Sequence, residues 1–108
     1  MNPENTIARL NDAFRSTLIG GKVLLTQGVD ALEVAEKTQL LTAVMTFSTF
    51  TGDNDPWDEH DFGAIDQNGT RYFWKIDYYD PRGENGSEDP ADPAKTLRVL
   101  TIMRADEY

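Results

Sequence analysis

Asn68-Gly69 lies between two runs in which apolar and polar residues alternate, "DFGAID" (61–66) and "TRYFWKIDYYD" (70–80). The dipeptide suits a two-residue type I′ turn, because both central residues of that turn need positive φ. A two-residue loop fixes the register. Asp66 then faces Arg71, Ala64 faces Phe73, Phe62 faces Lys75 and His60 faces Asp77. On the other face Ile65 meets Tyr72, Gly63 meets Trp74 and Asp61 meets Ile76. This register sets opposite charges beside the turn and leaves room at a glycine for an indole. Tyr72, Trp74, Ile76 and Ile65 are the predicted core face, and a slip of one residue would exchange the two faces.

The rest of the chain supplies the elements that cover this hairpin. "NPENTIARLNDAFRSTL" (2–18) predicts a helix with Asn2 as cap, Pro3 in the first turn, and Ile7, Leu10, Phe14 and Leu18 on one face. Gly20-Gly21 is expected to end it. "KVLLTQ" (22–27) reads as a strand and Gly28 as a turn. A second helix is expected from about Ala31 or Glu33 to Phe47, with Asp30 as cap and Leu40, Leu41, Val44, Met45 and Phe47 as its buried stripe. Residues 81–95, rich in Pro, Gly and acid, read as a long loop. "TLRVLTIMRA" (96–105) is apolar on both sides, which suits a strand central in a sheet or covered on both faces. The expected fold is α+β: one domain over 1–108 in the order α-β-α-β-β-β, with an antiparallel sheet of three to four strands and two helices packed on one face.

Composition narrows the chemistry. A chain of 108 residues that is 39% hydrophobic fits one core, and it contains no cysteine. Disulfides, zinc-thiolate sites and thiol catalysis are thereby excluded. "MNPENTIARLNDAF" has neither a basic n-region nor an apolar h-region, and no apolar run reaches the ~20 residues that span a bilayer. A soluble cytoplasmic protein is the expectation. The net charge of −9 is unevenly placed: residues 53–92 hold twelve Asp and Glu against Arg71, Lys75 and Arg82, and the remainder balances. Such a field repels nucleic acid and anionic membrane and attracts basic protein surfaces.

"NDPWDEHDFGAI" (54–65), "FWKIDYYDP" (73–81) and "DPADPAKTLRVLTIM" (89–103) resemble a bacterial family of short acidic proteins marked by NDPxxEHDFG and WKIDYYD motifs and described only as a domain of unknown function. The likeness extends through "IARLNDAFR" and "VLLTQGV" over nearly the whole chain. It implies no activity, cofactor or catalytic residue.

The acidic stretch 51–66 is where function is expected. Asp53-Asn54-Asp55 begins like a calcium loop, but the sixth position is Asp58 where that loop needs Gly, and the twelfth is Ala64 where it needs Glu. The competing reading is a turn in which Asp and Asn side chains bond their own backbone before Pro56. No metal site and no cofactor are expected. His60 is the single histidine, so a site with several imidazoles is excluded within one chain. Paired with Asp77 or Glu59 it could act as a general base, with Ser48, Thr49, Thr51 or a water as nucleophile. That makes a small metal-assisted or His-carboxylate hydrolase the alternative function. The leading expectation is a non-enzymatic binding module whose acidic face docks a basic protein through Asp53, Asp55, Trp57, Asp58, Glu59, Asp61 and Tyr79. Trp57 either anchors that contact or folds back over the sheet. An inhibitor that occupies a nucleic-acid-binding groove, as some anti-restriction and anti-CRISPR proteins do, has this size and charge.

Overall fold

The computed structural model describes residues 3–108. Along the chain run α1 (Pro3–Thr17), β1 (Gly21–Leu25), α2 (Gln27–Asp30), α3 (Val34–Met45), β2 (Phe62–Gln67), β3 (Thr70–Tyr79) and β4 (Leu97–Arg104), with 3-10 turns at Pro93–Lys95 and Ala105–Glu107. The fold is α+β, and its four strands form one sheet in the order β1-β4-β3-β2. The expected Asn2 cap lies outside the described residues.

The hairpin takes the register that its turn dictates, from Phe62 opposite Lys75 to Asp66 opposite Arg71. Asn68 and Gly69 have φ of 53° and 78°, as a type I′ turn requires. Gly63 lies against Trp74, and Tyr72, Trp74 and Ile76 are buried. β4 runs between β1 and β3, the central place expected of a strand apolar on both sides.

Three expectations need correction. The sheet is mixed: β3 pairs with its neighbours antiparallel, but β1 lies parallel to β4. Alternation in a five-residue strand does not encode direction. A parallel pair needs a long crossover, which the chain between Leu25 and Leu97 supplies. Second, Asp30 does not cap the long helix. It sits in α2, which also contains Gly28, and pairs with Lys37 at 3.3 Å, while α3 begins after Glu33 and stops at Met45. Phe47 lies beyond the helix and meets Trp74 edge-on. Third, α1 ends at Thr17, where Leu18 takes a left-handed φ of 60°. Gly21 is instead the first residue of β1, where a Cβ would crowd the Arg98 carbonyl and come within 2.8 Å of the Phe14 ring.

Phe14 of α1, Val29 of α2, and Leu40 and Val44 of α3 share one core with Tyr72, Trp74, Ile76, Leu100 and Ile102, so the helices cover one sheet face. Burying such side chains stabilises the fold by roughly 1.5–3 kcal/mol each. Among the described residues no helix is long and apolar enough to cross a membrane.

Topology gathers the acidic loops. The start of β2, the end of β3 and the start of β4 lie at the same end of the sheet, because these strands alternate in direction. The segments 53–61 and 80–96 both leave from that end. Asp66 lies at the other end, held by Arg71 at 2.9 Å.

Candidate functional site

α1 carries polar residues into its buried face. Asn11 and Arg15 are buried, at helical spacing from Ile7 and beside Phe14 and Leu18. Arg15 donates from Nε to the Val44 carbonyl at 3.0 Å and from Nη2 to the Phe47 carbonyl at 2.8 Å. The Val44 carbonyl is in the last turn of α3 and the Phe47 carbonyl lies just past it, where a cation also complements the helix dipole. Its guanidinium lies 4.9 Å from the Trp74 ring centre and 5.3 Å from that of Phe50. Its Nη1 donates to Asp12 at 3.0 Å.

Asp12 in turn fixes His60. Nδ1 of His60 lies 3.0 and 2.9 Å from the two oxygens of Asp12, and the imidazole stacks on Phe50 with ring centres 3.9 Å apart. Nε2 faces Asp55 Oδ2 at 3.6 Å and Asp58 Oδ1 at 3.9 Å. The loop turns sharply enough that Asp58 and His60 both take left-handed φ, 58° and 56°. Asp55 closes this turn: its Oδ1 accepts from the backbone N–H of Glu59 at 3.0 Å and of His60 at 3.1 Å. Asn54 Oδ1 accepts from Thr51 N–H at 2.8 Å, so the side chains of 54–55 bond their own backbone, as one of the two sequence readings required.

A second network ties this loop to the other acidic segment. Asn11 Nδ2 donates to the Glu59 carbonyl at 2.9 Å and to Tyr78 Oη at 2.8 Å. Tyr78 donates to Glu59 Oε1 at 2.9 Å. Arg98 donates from Nε to Asn11 Oδ1 at 2.7 Å and from Nη2 to the Pro90 carbonyl. Burial pushes the Tyr78 hydroxyl above, and the Arg98 guanidinium below, their ordinary ranges.

The structure thus sorts the expected site residues. Asp53, Trp57 and Asp58 are exposed, and the indole of Trp57, 77% exposed, does not fold back over the sheet. Asp55 is buried and Glu59 is tied to Tyr78. Tyr79 and Asp77 lie with Lys75 on the sheet face opposite the helices. The expected His60–Asp77 pair does not form. The ladder ends at Phe62–Lys75, Asp77 bonds Lys75 at 3.0 Å, and the left-handed turn at His60 swings the imidazole to Asp12. Ser48 lines the same groove as His60, but Nε2 is turned to carboxylates. The Thr51 hydroxyl accepts from the Asn54 N–H at 3.4 Å, and the Thr49 carbonyl accepts from the Asn54 side chain at 3.0 Å. Asp12, Asn11, Arg15 and Arg98 were not singled out from sequence. The signal for the α1 pair was a polar residue at positions 11 and 15 within an apolar helical stripe.

Asp61 supplies a pH-dependent test. Its carboxyl is raised above 3.8 by burial, then by Glu59, Asp55 and Asp77 nearby. A carboxyl raised on folding favours the fold at pH below 3.8 and loses that contribution as pH rises through the folded value. Asp61→Asn is therefore expected to raise the melting temperature at neutral pH, with the gain disappearing in acid below 3.8. Thermal scans from pH 3 to 7 check this; a gain that grows toward acid contradicts it.

A family model described as a protein of unknown function (DUF3768) matches residues 25–107, which hold the whole acidic loop and all strands after β1. Comparison with curated proteins and with solved structures finds no match.

Proposed function

We propose that this chain, which belongs to the DUF3768 family of proteins of unknown function, is a binding module whose acidic end docks a basic protein partner. The observation that carries this reading is Trp57: an indole 77% exposed on a loop that bears Asp53 and Asp58. An exposed tryptophan loses much apolar surface to water, and such residues recur as interface anchors. The loop beneath it is held by Asp55, Asn11 and the Phe50–His60 stack, so little order is lost on docking.

The neighbouring 80–96 segment adds exposed Glu84, Glu88 and Asp89 at the same end of the sheet. A nucleic-acid-binding protein fits this charge well, because its groove is built to hold closely spaced negative groups. The chain would then act as an inhibitor in the manner of anti-CRISPR or anti-restriction factors. The His-carboxylate form of the hydrolase alternative has less support, since Asp77 is on the far sheet face and His60 Nε2 faces the carboxylates of Asp55 and Asp58.

Affinity capture from the native host at low salt tests the reading. Wild type is expected to retain a basic protein that Trp57→Ser loses by about tenfold or more. The substitution should leave the melting temperature unchanged, because the indole is exposed. Equal capture by both would contradict the assignment of Trp57 as anchor.

A further inference from the structure

We propose that Asp55, Asp58 and His60 form a binding site for a first-row divalent transition ion of the Zn2+ or Mn2+ kind. One donor atom from each lies within 4.8 Å of the others. His60 Nε2 is 3.6 Å from Asp55 Oδ2 and 3.9 Å from Asp58 Oδ1. Both distances exceed a hydrogen bond. Ligands on a tetrahedral ion with bonds of about 2.1 Å stand about 3.4 Å apart, so the two His60 pairs need only a small closure, with the exposed Asp58 side chain able to supply the rest.

An independent observation points the same way. The Asp55 side chain is 3% exposed, and its Oδ2 has no hydrogen-bond partner although Oδ1 accepts two backbone N–H groups. A buried carboxylate oxygen facing an imidazole, with no donor, is costly unless something cationic reaches it. His60 is prepared for that role. A carboxylate only accepts, so the Nδ1 held against Asp12 carries a proton, and Nε2, beside Asp55 and Asp58, is the nitrogen left to bind an ion. A carboxylate behind the imidazole is the usual support of a metal-bound histidine. Stacking on Phe50 fixes the ring plane, and Arg15 fixes Asp12.

One nitrogen and two oxygens favour a transition ion over calcium, which takes six to eight oxygens. The inference revises the sequence expectation that no metal site exists, while leaving in place the failure of the calcium-loop pattern. It does not rest on the docking reading: Asp58 belongs to both, but the ligand geometry and the unpartnered Asp55 oxygen stand whether or not a protein docks there.

Titration calorimetry of chelator-treated protein with zinc, manganese, calcium and magnesium chlorides tests the site, together with Asp58→Asn and His60→Gln. One equivalent of Zn2+ or Mn2+ is expected to bind, and each variant to weaken it at least tenfold. The Asp58 side chain is 71% exposed, so Asp58→Asn should melt as wild type does without metal, separating ligation from folding. Co2+ should give an absorption spectrum of nitrogen and oxygen ligation that Asp58→Asn abolishes. The proposal is overturned by the absence of saturable binding, by equal affinity in wild type and both variants, or by calcium binding as tightly as zinc.

Discussion

Asn11→Leu is expected to destabilise the protein by about 4 kcal/mol, because it strips partners from several buried groups at once. Leu keeps the branching and heavy-atom count of Asn, but its methyl groups are bulkier than the amide, so crowding adds to the polar loss. Asn11 is fully buried. Leu would remove the donors to the Glu59 carbonyl and Tyr78 Oη and the acceptor for Arg98 Nε. Each buried group left unpaired costs roughly 1–3 kcal/mol, and a guanidinium costs more than a carbonyl. Arg98 keeps the Pro90 carbonyl, and Tyr78 keeps Glu59 Oε1, so the loss is partial. Urea unfolding should show a lower midpoint with an unchanged slope. A loss below about 1 kcal/mol would show that the network is replaceable by solvent. The consequence reaches the proposed docking end, since this one side chain connects α1 to Glu59, and through Arg98 to Pro90.

Gly63→Ala is the second large effect, expected at about 3 kcal/mol from overpacking. A Cβ there would overlap Trp74 Nε1 and come within 2.8 Å of the Phe47 ring. Trp74 is fully buried in a sheet interior and cannot rotate away, and Phe47 is itself packed against Phe50. The near-ultraviolet circular dichroism of the indole should change along with the melting temperature. A variant with native stability and an unchanged spectrum would mean that β2 shifts freely, contrary to its register with β3.

The same glycine shows what was legible in the sequence. A two-residue turn fixes the register arithmetically, so the Gly63–Trp74 contact and the Asp66–Arg71 pair followed from Asn68-Gly69, while the buried face of β3 was read from its apolar residues Tyr72, Trp74 and Ile76. The pairing of β1 with β4 did not, because a parallel neighbour is chosen by the path of 71 intervening residues and not by any local pattern. At the site, the turn-forming roles of Asn54 and Asp55 could be read from Asx chemistry. The fate of His60 could not. The register was extended two residues past the ladder's end, and the positive φ at Asp58 and His60 carried the imidazole to the other side. Asp12, its actual partner, lies 48 residues away.

The account centres on an acidic end that docks a basic protein, and association kinetics with the captured partner test it most directly. Asp53, Glu84 and Glu88 are exposed and span both loops, so Asp53→Asn, Glu84→Gln and Glu88→Gln together remove charge without touching the buried networks. Surface charges are screened over about 8 Å at physiological ionic strength, and steering acts on encounter. The wild-type association rate should therefore fall as salt rises. The triple variant should associate several-fold more slowly at low salt, converge on wild type at high salt, and dissociate at the same rate. A wild-type rate independent of salt, or a triple variant that associates like wild type at every salt concentration, would contradict the claim and leave the acidic end a solvated surface.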